Sequence, residues 1–218
     1  MDANEIYNEG VKLFKERKHQ EAYDLFTKAI AKKSTVFNYY HARGLCAKNL
    51  DKVEQAISDF EKAIELKPGY SKSLSVVVKL YQKTNDTEKA LDAFTQLIKS
   101  TPSHFHYFDR GTLLSEIKGK EQEAINDFTK AIALDETMSI AYYNRALLYY
   151  SQKEYDKALK DFDKTIEFES EPDANTYIDR GLCYYYTDKD VEAMKDFKKA
   201  VEIEPDNKRA KNLLEQLQ

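Results

Sequence analysis

The side chains capable of chemistry are few and scattered. Of four histidines only His104 and His106 lie close, flanking Phe105. Residues two apart on a helix do not share a face, so this pair reads as a solvated helix start rather than a metal site. Cys46 and Cys183, 137 positions apart, make neither a disulfide framework nor a zinc knuckle. They read as small buried hydrophobes of a reducing compartment. The acidic pairs Asp135-Glu136 and Asp188/Asp190 fall at turns, where helix capping accounts for them. Tyr184-Tyr185-Tyr186 offers hydroxyls for modification, with Tyr184 at a packing position. No phosphate-binding loop, dinucleotide fingerprint, nucleophile elbow or His-Glu-x-x-His occurs. The sequence reads as a non-enzyme with no cofactor and no metal.

One set of charges is ordered. Arg43, Arg110, Arg145 and Arg180 each lie some sixteen residues before an aspartate: Asp59, Asp127, Asp161 and Asp196. Two further segments lack both partners, carrying Glu9 with Leu25 and Val77 with Ala93. Joint presence and joint absence predict an Arg–Asp pair within one structural unit. A partly buried guanidinium needs its carboxylate, so the structural role outweighs a ladder for acidic ligands.

These charges ride on a repeat. Alanines stand at Ala22, Ala56, Ala90, Ala124, Ala158 and Ala193, at intervals of 34, 34, 34, 34 and 35. Each is followed four residues later by a phenylalanine: Phe26, Phe60, Phe94, Phe128, Phe162 and Phe197. A column of mostly small residues precedes them: Gly10, Gly44, Val78, Gly111, Ala146 and Gly181. Prolines close units at Pro68, Pro102 and Pro205. Each unit reads as two helices, with the small column permitting close approach and the phenylalanine filling the space between units. Composition agrees: only ten of 218 residues are Gly or Pro, too few for a hairpin-rich protein.

These columns resemble the tetratricopeptide repeat family, a 34-residue helix–turn–helix with small, aromatic, alanine, phenylalanine and proline landmarks. The resemblance covers nearly the whole chain and implies an all-α, right-handed superhelical solenoid of antiparallel helix pairs. A single domain over 1–218 is expected, with repeats at about 3–36, 37–70, 71–103, 104–138, 139–173 and 174–207. Repeat four carries one extra residue near Lys118–Glu121, and another enters around Ser170–Ala174. Asp2-Ala3-Asn4-Glu5 reads as a capping-box start. Ala210, Leu213, Leu214 and Leu217 mark a cap helix at about 208–217.

The resemblance implies that the first helix of every repeat lines a groove that takes a partner protein or peptide. One groove column reads Asn8, Ala42, Val76, Asp109, Asn144 and Asp179, where Asn and Asp can hold a peptide backbone. Neighbouring stripes offer Phe105, Phe108, Ile140, Tyr143, Leu147, Tyr150, Ile178, Leu182 and Tyr185 in the C-terminal half. The N-terminal half is more polar, with Asn4, Tyr7, Asn38, His41, Lys72, Lys79 and Lys83. The expected site is therefore Asn8, Phe105, Phe108, Asp109, Tyr143, Asn144, Tyr150, Asp179 and Tyr185, chiefly over repeats four to six. Aromatic residues make good anchors there.

Relatives that clamp the C-terminal carboxylate of heat-shock chaperones use Lys and Asn in one first helix, Asn in the next, then Lys and Arg. The pairs Tyr7/Val11, His41/Leu45 and Phe108/Thr112 do not match the first element, nor Asn175/Asp179 the third, so no such clamp is expected. A net charge of −4 argues against a helical-repeat nucleic-acid binder. Self-assembly through the cap helix or Val76–Val78 is the other rival. No apolar run reaches spanning length and no signal-peptide core follows Met1, so a soluble cytoplasmic protein without membrane insertion is expected.

Overall fold

A computed structural model describes residues 1–217, and over them the chain forms thirteen α-helices and no strand. The helices group into two compact units, Met1–Pro102 and a second beginning at Ser103. The first holds three helix pairs: α1 (Ala3–Lys15) with α2 (His19–Lys32), α3 (Phe37–Asn49) with α4 (Val53–Leu66), and α5 (Ser71–Lys83) with α6 (Thr87–Ser100). The second holds α7 (His104–Ser115) with α8 (Glu121–Leu134), α9 (Ser139–Ser151) with α10 (Tyr155–Phe168), and α11 (Ala174–Tyr185) with α12 (Asp190–Ile203). A last helix, α13 (Lys208–Gln216), packs on α12. Each pair is one repeat.

The columns explain the pairing. All six alanines and all six phenylalanines are buried. Each phenylalanine removed from water stabilises its pair by about 2–3 kcal/mol. The glycines face those rings closely: at Gly44 and Gly111 a Cβ would lie 3.1 and 3.0 Å from the ring, and at Gly10 and Gly181 nearer still. A Cβ on Gly10 would lie 2.7 Å from Phe26, and one on Gly181 would lie 2.6 Å from Phe197. Four helices start at a side-chain cap: Asp2, Asp86, Asp173 and Asn207. Asp2 Oδ1 accepts the Glu5 N–H at 2.8 Å while Glu5 accepts the Asp2 N–H at 2.6 Å, the expected capping box. Asn207 caps α13 by accepting the Ala210 N–H at 3.0 Å.

The turn between the two helices of every repeat contains one left-handed residue. These are Arg17, Asp51, Asn85, Gly119, Lys153 and Asp188, with φ between 54° and 87°. In repeat four the extra residue lies in this turn, and the position is taken by Gly119, around which a Cβ would meet nothing within 4 Å.

Candidate functional site

All four predicted Arg–Asp pairs form inside their own repeats, each as a two-pronged contact. Arg145 donates from Nε and Nη2 to Asp161 at 2.7 and 2.8 Å, and Arg180 donates to Asp196 at 2.8 Å from both. Arg43 reaches Asp59 at 2.9 and 2.6 Å, and Arg110 reaches Asp127 at 2.7 Å twice. The third nitrogen has a second task that the column reading missed. Nη1 of Arg145 donates to Thr129 at 2.9 Å and Nη1 of Arg180 to Asp163 at 2.7 Å, so each arginine also ties its repeat to the preceding one. Arg43 makes a longer contact of the same kind with Thr27, at 3.4 Å. Tyrosines lie over the guanidinium faces: Tyr142 and Tyr149 on Arg145, Tyr177 and Tyr184 on Arg180. These tyrosines and arginines are occupied in holding the stack.

The expected binding residues of the second unit divide by exposure. Phe105 is 59% exposed, with its ring 4.0 Å from that of His104, and Ile140 and Tyr185 are each 43% exposed. Asp109 is exposed on α7. Phe108 is half-buried against Phe128, and Tyr150 is half-buried among Tyr155 and Tyr186. Burial and the neighbouring Tyr186 hydroxyl push the Tyr150 phenol up to about 12, so it stays protonated. Asn144 is half-buried, and its amide makes no hydrogen bond among the described residues.

Three expectations need correction. Ile178 and Leu182 do not face a groove: they are buried with Phe197 and Ala210, and Leu213, Leu214 and Leu217 of α13 pack on that cluster. Tyr143 is half-buried edge-on to Phe162, and its hydroxyl donates to Asp179 Oδ2 at 3.0 Å. Asp179 also accepts from Arg209 of α13 at 3.1 Å, so both its oxygens are engaged within the chain. Burial raises the Asp179 carboxyl against the opposing pull of Tyr143 and Arg209, and the Tyr143 phenol is raised by its own burial and by Asp179. These two residues brace neighbouring repeats. The α13 leucines signalled a cap, but not that it would bury these first-helix positions.

The first unit presents a different surface. Asn8 is exposed on α1, and Asn4 accepts the Tyr39 hydroxyl. His41 is half-buried between Phe60 and Tyr70 with Nδ1 2.9 Å from Ser73 Oγ. Burial, with Lys72 adding to it, lowers its pKa to about 4, so the ring is neutral at physiological pH. Lys72, Lys79 and Lys83 are exposed on α5.

Other chemistry is limited by surroundings. Burial pushes the Cys46 and Cys183 thiols up to about 12, leaving little thiolate for attack. His104 lies 3.8 Å from Asp135, and no group of three or more His, Cys, Asp or Glu among the described residues could hold a metal ion. No helix of the described residues is long and apolar enough to cross a membrane.

Relatives share this architecture. The crystal structure of YrrB, described as a TPR protein with an unusual peptide-binding site, superposes with a TM-score of 0.72 over 86% of this chain and 96% of that one. At 21% identity the likeness is one of fold. A crystal structure of MamA gives 0.68 at 27% identity, covering 78% of this chain and 92% of that one. DnaJ homolog subfamily C member 7 of Homo sapiens is 27% identical over 169 residues, or 70% of this chain and 34% of that protein. Hsp70-Hsp90 organizing protein 3 of Arabidopsis thaliana is 39% identical over 139 residues, 57% of this chain and 25% of that protein. The chain spans about a third of the length of the first of these curated relatives. Models of the tetratricopeptide repeat match residues 37–70, 78–104, 139–172 and 174–207. With buried alanine, phenylalanine and small-residue columns recurring through its helix pairs, this chain belongs to the tetratricopeptide repeat family.

Proposed function

We propose that this protein is a non-enzymatic, co-chaperone-like adaptor of the cytoplasm that holds a segment of a partner protein on the first helices of its second unit. Proteins of this family mediate protein–protein interaction. The observation that carries the reading is the surface of α7, α9 and α11. Phe105, Ile140 and Tyr185 stand exposed there, with Phe108, Leu147 and Tyr150 half-buried beside them. The unbonded, half-buried amide of Asn144 can pair with a peptide backbone without reading its sequence. Apolar anchors beside such an amide suit an extended or helical segment.

Affinity capture from native extract tests this, with wild type beside a Phe105→Ala/Asn144→Ala variant of equal helicity. Loss of the retained partner by the variant is the expected result. Equal retention by both would move the interface elsewhere. The missing Lys/Asn pairs also predict that peptides ending in the Hsp70 or Hsp90 C-terminal carboxylate bind no better than their amidated forms; a clear preference for the free acid would refute that part.

A further inference from the structure

The arginine slots give the chain a guanidinium-binding geometry that it repeats. Around Arg180 stand Asp196 of its own second helix, Asp163 of the preceding repeat, and the rings of Tyr177 and Tyr184. Arg145 has the same neighbours in Asp161, Thr129, Tyr142 and Tyr149. In repeat three the places of Arg180, Asp196, Asp163, Tyr177 and Tyr184 are taken by Val77, Ala93, Glu61, Leu74 and Tyr81. All five line one hollow of about 360 Å³ between α4, α5 and α6. The hollow is the place that an arginine of the chain fills in other repeats.

Repeat three has lost the arginine and kept part of what receives one. Glu61 stands in the column of Thr27, Thr129 and Asp163, which accept the arginine of the following repeat. Its Oε1 accepts from Tyr81 and Lys89, while Oε2 accepts no hydrogen bond among the described residues. Tyr149 and Tyr184 each lie against an arginine and a lysine, whereas Tyr81 lies against Lys89 alone among the described residues. The rim is negative. Glu65, which also holds Lys62 at 2.6 Å, and Asp92, which accepts from Gln96 through one oxygen, join Glu61 there, and Lys89 is the cation among the lining residues. A second cation is missing by the same comparison. Two residues after the column phenylalanine the other repeats carry Lys28, Lys62, Lys130, Lys164 and Lys199; repeat three carries Gln96, which lines the hollow.

We propose that this hollow receives an arginine side chain of a partner protein, in the place that the chain's own arginine takes in repeats two, four, five and six. The guanidinium donates to Glu61 Oε2 and lies beside Tyr81, with Asp92 adding to the attraction. A guanidinium suits a floor of Leu74, Val77 and Ala93 better than an ammonium does, because it is flat and more weakly hydrated. The site lies between helix pairs of the first unit and does not depend on the groove reading above.

Amide NMR of the full chain, titrated with acetyl-Gly-Arg-Gly-amide, reads the site residue by residue. Saturable shifts centred on Glu61, Val77 and Tyr81 are expected in the millimolar range. The citrulline peptide, which keeps the shape and lacks the charge, should give none, and the lysine peptide should bind several-fold more weakly. Glu61→Gln, which still offers Tyr81 an acceptor, should weaken the arginine peptide about tenfold. Val77→Arg with Ala93→Asp refills the slot from within and should abolish the shifts. Shifts that stay linear to tens of millimolar or centre elsewhere overturn the proposal. So does an equal response to the citrulline or lysine peptide, or binding left unchanged by Glu61→Gln.

Discussion

The junction between repeats two and three and the junction between repeats five and six meet the same requirement with different residues. In the second unit Arg180, flat against Tyr177 and Tyr184, holds Asp196 in its own repeat and Asp163 in the one before. In the first unit the corresponding places are Val77 and Ala93, which can do neither. There Glu61 of α4 accepts the Tyr81 hydroxyl of α5 at 2.7 Å and the Lys89 ammonium of α6 at 3.0 Å. The preceding repeat supplies an acceptor in both cases, while the donor moves from one column to others. The two solutions differ in strength. The acceptors across the two junctions, Asp163 and Glu61, are both about half exposed, but Arg180 is mostly buried and fixed by the dry Asp196, whereas Lys89 is itself about half exposed and screened by water.

The sharpest way to break this contrast is to remove one carboxylate from each kind of link. Asp161→Ala strands the buried Arg145 guanidinium and should cost about 3–5 kcal/mol. Glu61→Ala should cost about 1–2 kcal/mol, because Lys89 can turn to solvent and only the buried Tyr81 hydroxyl loses its acceptor. Hydrogen exchange of the α9–α10 and α4–α6 amides reads the two losses separately. Equal losses would erase the distinction.

A smaller difference between the units follows from acidity. Folding lowers the His41 pKa from its ordinary 6.5 to about 4, so its contribution is complete above 6.5 and is lost as pH falls toward 4. The total loss is about 3 kcal/mol, of which roughly 2 has gone by pH 5. Urea unfolding of wild type against His41→Gln between pH 7 and pH 5 checks it: the variant should lose most of the slope. Parallel pH profiles would remove His41 as the cause.

The smallest effect concerns the left-handed turns. Lys153 occupies a conformation that costs a side chain about 1 kcal/mol, so Lys153→Gly should raise stability by up to that amount. Gly119→Ala should lower it similarly despite the open space around it. A destabilising Lys153→Gly, seen as a lower denaturation midpoint, would mean that the lysine's contacts outweigh the backbone.

The columns that could be read from the sequence are those in which burial permits little choice. Alanine, phenylalanine and glycine recur because the space they occupy recurs, and arginine with aspartate because neither can be buried alone. The left-handed column was not legible. Asp51, Asn85, Gly119 and Asp188 are of the types that favour a left-handed backbone, but Arg17 and Lys153 break the column, and all the side chains there are exposed, where burial demands no type. The candidate site was legible as a register, since the columns place Phe105, Asn144 and Tyr185 on first helices. Its exposure was not. Ile178 and Leu182 carry the same apolar pattern whether they face solvent or a leucine of α13, and Tyr143 is kept from being an open anchor by its packing on Phe162 and its hydrogen bond to Asp179.

The turn around Gly119 bears on how this protein can be altered. Repeat four already carries one residue more than its neighbours there, without loss of the alanine–phenylalanine packing on either side. Closing a longer loop at the same place adds only about 0.6 kcal/mol for each doubling of its length. That turn is therefore the natural site for grafting a reporter, a protease site or a whole domain, with α7 and α8 on either side left to pair as they do now.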